Sequence, residues 1–170
     1  MPPDRAHDAD LEILAAGEAA EGKSELRLWL RMLSATNLIS AEIRRRLRVA
    51  FSVTLPQFDL MAQLAREPEG LRLGVLSKRM MVTNGNVTGL IDRLESEGLV
   101  ERGSAAGDGR VTVARLTAKG TAQFERMARV HETWVKELLS EVEAGNARTL
   151  FRLLGGVKQS VVAHTDKDAV

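Results

Sequence analysis

The chain contains no cysteine, which removes disulfide scaffolds, thiolate metal sites, cysteine nucleophiles and thiol redox sensing together. Tyrosine is also absent and aromatic residues make up only 4% of the chain, while Ala, Leu, Glu and Arg dominate; this balance favours helix over an all-β sandwich. No apolar run approaches the roughly 20 residues that span a bilayer. The first 23 residues carry more acid than base and lack a basic start followed by an apolar segment, so no secretory signal is visible. These features predict a cytoplasmic protein without a membrane partner. The three histidines, His7, His131 and His164, are scattered, and no paired carboxylates, glycine-rich phosphate loop or nucleophile motif accompanies them. An enzyme is therefore not expected, and neither a cofactor nor a metal.

The formal net charge of +1 excludes little, because a nucleic-acid-binding face can be balanced by acid elsewhere. At 170 residues the chain holds one ordinary domain or two small units sharing a core. Residues 1–23 read as a flexible tail. From Ser24, Leu26, Trp29, Leu30, Leu33, Asn37, Ser40, Ile43 and Leu47 recur at three-four spacing, as on one face of a long helix. Thr54 offers a cap and Pro56 a first-turn proline for a second helix that buries Phe58, Met61, Ala62 and Ala65 and stops at Pro68 to Gly70. A short helix follows over "LRLGVLSKRM", with Leu73, Leu76 and Met80 on one side.

The stretch "MVTNGNVTGLIDRLESEGLV", Met81 to Val100, contains an Asn-Gly pair that ordinarily signals a hairpin. No second strand follows it, and Val87, Leu90, Ile91 and Leu94 have the i, i+3, i+4, i+7 spacing of a core-facing helical stripe. Thr83 is a natural N-cap, which places Asn-Gly in the first turn, where helix propensity matters least. The opposite face presents Gly85, Gly89, Asp92 and Ser96, flanked by Asn86, Thr88 and Arg93. Each interior glycine costs about 0.5–1 kcal/mol against alanine, so stability did not select this face. Small residues admit a close second surface, asparagine amides bond bidentately to adenine, and hydroxyls and helix N-terminal N–H groups suit phosphates. A short helix, a turn at Met81 to Thr83 and this helix together predict a helix-turn-helix that approaches double-stranded DNA.

"LVERGS" and "VTVARLT" alternate apolar with polar residues around the turn "AAGDG", predicting a β-hairpin with Arg110 at the base of its glycine-rich loop and Asp108 two residues earlier. An arginine so placed can enter a narrow minor groove. Beyond Thr117, Phe124, Met127, Ala128, His131, Trp134, Val135, Leu138 and Val142 share a helical face; Ala144 to Asn146 read as a break, and a last helix carries Leu150, Phe151, Leu154, Val157 and Val161. The expected fold is mainly α with a small β-hairpin wing, a winged helix-turn-helix over 54–117 flanked by helical regions at 24–53 and 118–165.

Residues Leu71 to Gly120 resemble the winged helix-turn-helix core of the MarR family of bacterial transcription regulators. The hairpin matches that family's Asp-x-Arg, five residues, Leu-Thr pattern through Asp108, Arg110, Leu116 and Thr117, followed by Gly120, and "GLVER" precedes it. The resemblance implies a homodimer whose terminal helices interlock, with two reading lobes set for a pseudo-palindromic operator of half-sites about 10 bp apart. It implies a repressor released by a small-molecule effector held between the dimer helices and the lobes. DNA contacts are expected from Thr83, Asn84, Gly85, Asn86, Thr88, Gly89, Arg93, Asp108 and Arg110. Gly89 departs from the pattern, since many members carry a long basic residue there.

Candidate effector residues are Trp29, Met32, Phe58, Met61, His131 and Trp134, although aromatic and Met stripes at helical spacing serve a core equally well. Arg44, Arg45, Arg46 and Arg48 form the densest basic cluster, open to three readings: a solvated helix end, DNA phosphate contact, or capture of an anionic ligand. "RMMVTNGNVTGLIDRLE" is similar to regulators of hydroxycinnamate degradation that answer to aromatic acyl-coenzyme A thioesters, which would give Arg44, Arg46 and Arg48 phosphates to bind. Two other classes compete: a winged-helix module that binds protein through the same faces, and an acyl-CoA-binding enzyme.

Overall fold

In the computed structural model, residues 24–105 and 108–165 are described; the expected tail at 1–23 lies outside them. The elements run α1 (Ser24–Phe51), α2 (Leu55–Leu64), β1 (Leu71–Arg72), α3 (Leu73–Met80), α4 (Asn84–Ser96), β2 (Val100–Ala105), β3 (Asp108–Leu116), α5 (Ala118–Leu138) and α6 (Ala144–Thr165). The chain divides into two compact units, one ending at His131 and the other beginning at Glu132.

In the first unit the core gathers where α2, α3, α4 and the sheet meet. Leu47 from α1, Leu60, Met61 and Leu64 from α2, Leu76 from α3 and Val87, Ile91 and Leu94 from α4 are sealed from solvent, joined by Val100, Ala114 and Met127. The long helix α1 contributes only its C-terminal half, through Ile43 and Leu47, whereas Leu26, Leu28, Trp29 and Leu38 stand exposed. On α2 the buried set is Gln57, Phe58, Leu60, Met61 and Leu64. Ala65, expected inside, is exposed because the helix ends one residue before it.

The junctions follow from local chemistry. Thr54 closes a capping box: its backbone N–H donates to Gln57 Oε1 at 2.9 Å, and its hydroxyl accepts from the Gln57 N–H. Met81 ends α3 in the left-handed conformation at φ 55. The Val82 N–H then reaches back to the Ser77 carbonyl at 3.1 Å, and the Ser77 hydroxyl donates to the Val82 carbonyl at 2.7 Å. This is a helix stop usually made by glycine.

The sheet has three strands in the order β1-β3-β2, all neighbours antiparallel. The expected hairpin is present, with Val100 opposite Leu116 and Arg102 opposite Ala114. The third strand was not expected: Leu71 and Arg72, assigned above to the start of α3, pair with Ala114 and Val113. The hairpin returns to helix through a close contact. The Thr117 N–H donates to the Leu99 carbonyl at 3.1 Å, and a Cβ added to Gly120 would stand 1.9 Å from that same oxygen.

In the second unit, α5 runs on to Leu138 and α6 begins at Ala144 rather than after Asn146. The chain breaks at 139–143 instead, and Val142 lies outside α5. Among the described residues α6 buries none of its side chains, and Phe151 is 81% exposed.

Two stability outcomes follow. Gly120→Ala is expected to cost about 1–3 kcal/mol or more in denaturant unfolding, because the methyl group has no room against the Leu99 carbonyl. Met81→Gly is expected to raise stability by about 1 kcal/mol by relieving the left-handed backbone.

Candidate nucleic-acid interface

The helix α4 starts as its sequence requires. The Thr83 hydroxyl accepts the Asn86 N–H at 3.3 Å, so the Asn-Gly pair occupies the first turn. Val87, Ile91 and Leu94 are completely buried, with Leu90 half-buried beside them. Thr83, Asn84, Gly85, Asn86, Gly89 and Arg93 are all exposed, and Thr88 is half-buried. The structure therefore brings the seven expected α4 contacts together on one side of the helix and around its N-terminus.

Nothing lies within 4 Å of a Cβ built on Gly85 or on Gly89. Internal packing does not require glycine at either site, in contrast to Gly120. Thr88 donates its hydroxyl to the Asn84 carbonyl at 3.0 Å, which leaves its oxygen free to accept. Arg93 is held by Glu97, Nε to Oε1 at 2.7 Å. The chemistry presented by this face is amide, hydroxyl and backbone rather than bare charge.

The backbone of Asp108 and Arg110 belongs to β3, while their side chains lie outside the described residues. Sequence reasoning missed Arg102 on β2. Its guanidinium donates one N–H to Asp92 and another to Glu95, joining the hairpin to α4. The signal was present: Asp92 and Glu95 stand three residues apart, an acidic pair on one helix side that wants a basic partner.

Of the expected effector residues, the structure brings Phe58 and His131 together. Met61 is fully buried, Phe58 is buried with its ring 5.6 Å from Phe124 and 4.8 Å from His131, and Trp29 is exposed. Met32 is half-buried on α1, and Trp134 is half-buried in the second unit. Partial burial lowers the His131 pKa below its ordinary value, against the pull of Asp59. In the arginine cluster, Arg45 and Arg46 both bind Glu42, at 2.6 and 2.7 Å, and hold its carboxyl down to about 2. Arg44 and Arg48 are exposed. A cleft of about 300 Å³ between α2 and the end of α3, lined by Pro56, Asp59, Ala62, Gln63, Arg79, Met80 and Val82, contains none of the named residues.

Comparison with known proteins agrees with this architecture. The MarR family profile matches residues 51–111, and the regulator PecS of Dickeya dadantii is 30% identical over 129 residues, spanning 73% of this chain and 78% of PecS. The chain belongs to the MarR family of transcriptional regulators. Across the first curated relatives the match spans from 52% to 78% of their own length. A MarR family regulator from Silicibacter pomeroyi is 34% identical in sequence, with a TM-score of 0.72 covering 85% of this chain and 99% of that one. A mutant MarR from E. coli, solved in complex with operator DNA, is 25% identical with a TM-score of 0.69, covering 82% and 99% respectively. These MarR relatives are transcriptional regulators rather than enzymes. Among the described residues no helix is long and apolar enough to cross a membrane, and no group of side chains is arranged to hold a metal ion.

Because both α4 glycines look into open space, alanine there is expected to strengthen the fold. Gly89→Ala should gain about 0.5–1 kcal/mol in chemical denaturation, and a loss of stability would show that this face is packed.

Proposed function

We propose that the chain is a DNA-binding regulator that acts as a homodimer, with α4 entering the major groove and Arg110 on the hairpin entering the minor groove. The observation that carries this reading is the two-sidedness of α4. Val87, Ile91 and Leu94 of its apolar stripe are completely buried, while the first two turns of its outer side carry glycine, asparagine and threonine at the expense of helix stability. Thr83 and the first-turn N–H groups serve phosphates, and Asn84, Asn86, Thr88 and Arg93 face base edges. A protein-binding module would need apolar side chains on this face, and the face carries none at its centre.

Two apolar surfaces support the dimer: Leu26, Leu28, Trp29 and Leu38 on α1, and Leu150, Phe151, Leu153 and Leu154 on α6. Exposed patches of this kind mark association, and a second copy covers both. On this reading residues 24–53 and 118–165 form the dimerisation region around a reading domain at 54–117. Two lobes then meet a pseudo-palindrome of half-sites about 10 bp apart.

Repression relieved by a small aromatic effector, such as a hydroxycinnamoyl-CoA thioester, is the accompanying regulatory reading. It rests on the resemblance of the α3–α4 segment, and is supported by the Phe58, Phe124 and His131 cluster and by exposed Arg44 and Arg48. The effector acts only through its differential affinity for the two lobe spacings.

Selection of duplexes from a random-sequence pool, followed by footprinting, tests the proposal. A two-fold symmetric site is expected, and absence of retained duplex at low salt overturns the reading. On the selected duplex, Arg110→Ala should weaken binding by about 1–3 kcal/mol, and Asn86→Ala should relax preference at one base position. Phe151→Asp should yield monomers in analytical ultracentrifugation; an intact dimer would exclude the α6 surface as an interface.

A further inference from the structure

We propose that Arg102 is a positioning residue for DNA recognition, a strut that locks the wing strand β2 to α4 through Asp92 and Glu95 so that helix and wing meet the duplex as one rigid unit. The proposal rests on the reading of α4 as the groove-entering helix.

The geometry separates this role from simple attraction to DNA. The Arg102 side chain is 28% exposed, and its two terminal nitrogens are each engaged by a different carboxylate. A planar guanidinium fork spanning two acceptors holds orientation as well as distance, which an ammonium cannot do. Two carboxylates against one guanidinium leave the cluster with a net negative charge, on the helix that approaches DNA. Duplex DNA carries about one negative charge per 1.7 Å of axis, so this arrangement opposes binding electrostatically. Its retention there points to a geometric task.

The strut lies beyond the ties at the base of the hairpin. Val100 is buried at its base, and the Leu99 N–H donates to the Leu94 carbonyl at 2.9 Å, which ties the end of α4 to the start of β2. Arg102 lies two residues further out, opposite Ala114 in the ladder. Its pairs reach back along α4 to Asp92, two residues before the backbone tie at Leu94 and Leu99. The backbone ties, this one with the pairing of β1 to β3 and the Thr117 N–H to the Leu99 carbonyl, hold the sheet and the base of the wing; Arg102 adds a side-chain tie directly between β2 and the outer side of α4.

The test measures affinity for the duplex selected by the wild-type protein, by fluorescence anisotropy over a range of salt concentrations. The variants are Arg102→Gln, the double variant Asp92→Asn with Glu95→Gln, and Asn86→Ala alongside. The strut predicts that Arg102→Gln and the double variant both bind about tenfold more weakly, with the salt dependence of the wild type and thermal midpoints within a few degrees of it. The double variant is decisive, because loss of two negative charges beside DNA should tighten binding if electrostatics alone were at stake. Equal or tighter binding by that variant overturns the proposal. So does a salt slope reduced by about one in Arg102→Gln, which marks a direct phosphate contact. If Asn86→Ala loses affinity while the double variant does not, the strut fails and α4 remains the reading helix; if Asn86→Ala loses nothing, the reading of α4 fails with it.

Discussion

Burial of the Val87, Ile91 and Leu94 stripe is the constraint on which the molecule depends. A helix of 13 residues with two glycines and an asparagine-rich start is too short and too poor in propensity to stand alone in water, where helices below about 12–15 residues are marginal even with favourable sequences. Each fully buried aliphatic side chain contributes about 1.5–3 kcal/mol, against about 0.5–1 kcal/mol lost at each glycine. Packing wins comfortably. The helix is therefore held entirely from its inner side, which frees the outer side to be chosen for something other than stability.

A helix held from one side must also be aimed, and the junctions do that. Thr54 fixes where α2 begins, Met81 turns the chain sharply between α3 and α4, and Gly98, at φ 70, turns it again into β2. The contact of Gly120 with the Leu99 carbonyl then clamps the start of α5 onto the base of the wing. Gly120 and Gly89 are the same residue type under opposite pressures. One is glycine because no side chain fits inside the protein, the other because no side chain was wanted outside it.

Periodic elements were legible in the sequence, since burial on one face writes a repeat that needs no partner to be recognised. The stripe of α4 and its Thr83 cap are of this kind. The strand β1 was not legible: two residues carry no period, and only their pairing with Ala114 and Val113 makes them a strand. The start of α6 failed for a different reason. Ala144, Gly145 and Asn146 look like a break, yet they form a first helical turn, much as Asn84, Gly85 and Asn86 do in α4, because helix propensity counts least where the N–H groups have no intrahelical partners. Phe58 and Met61 show the limit of such spacing: it marks both as inward-facing, and both are buried, but a core and a ligand lining write the same repeat. Arg102 escaped notice because its partners lie seven and ten residues away, and their shared helix side matters only once the hairpin folds back.

Charge around α4 is spent internally. Arg93 is taken by Glu97, Arg102 by Asp92 and Glu95, Arg115 by Glu101, and Lys119 donates to the Glu97 carbonyl at 2.7 Å. Cations engaged in this way have less free charge to offer a duplex. On the proposed reading, first-turn N–H groups fix the register on phosphates, and discrimination comes from groups whose value depends on fit, the amides of Asn84 and Asn86 among them. On the homodimer reading proposed above, two lobes joined rigidly multiply their affinities through a high effective concentration of the second half-site. That reading links the bare face of α4 to the uncovered apolar surfaces of α1 and α6: a helix poor in free charge gains most from a second copy of itself.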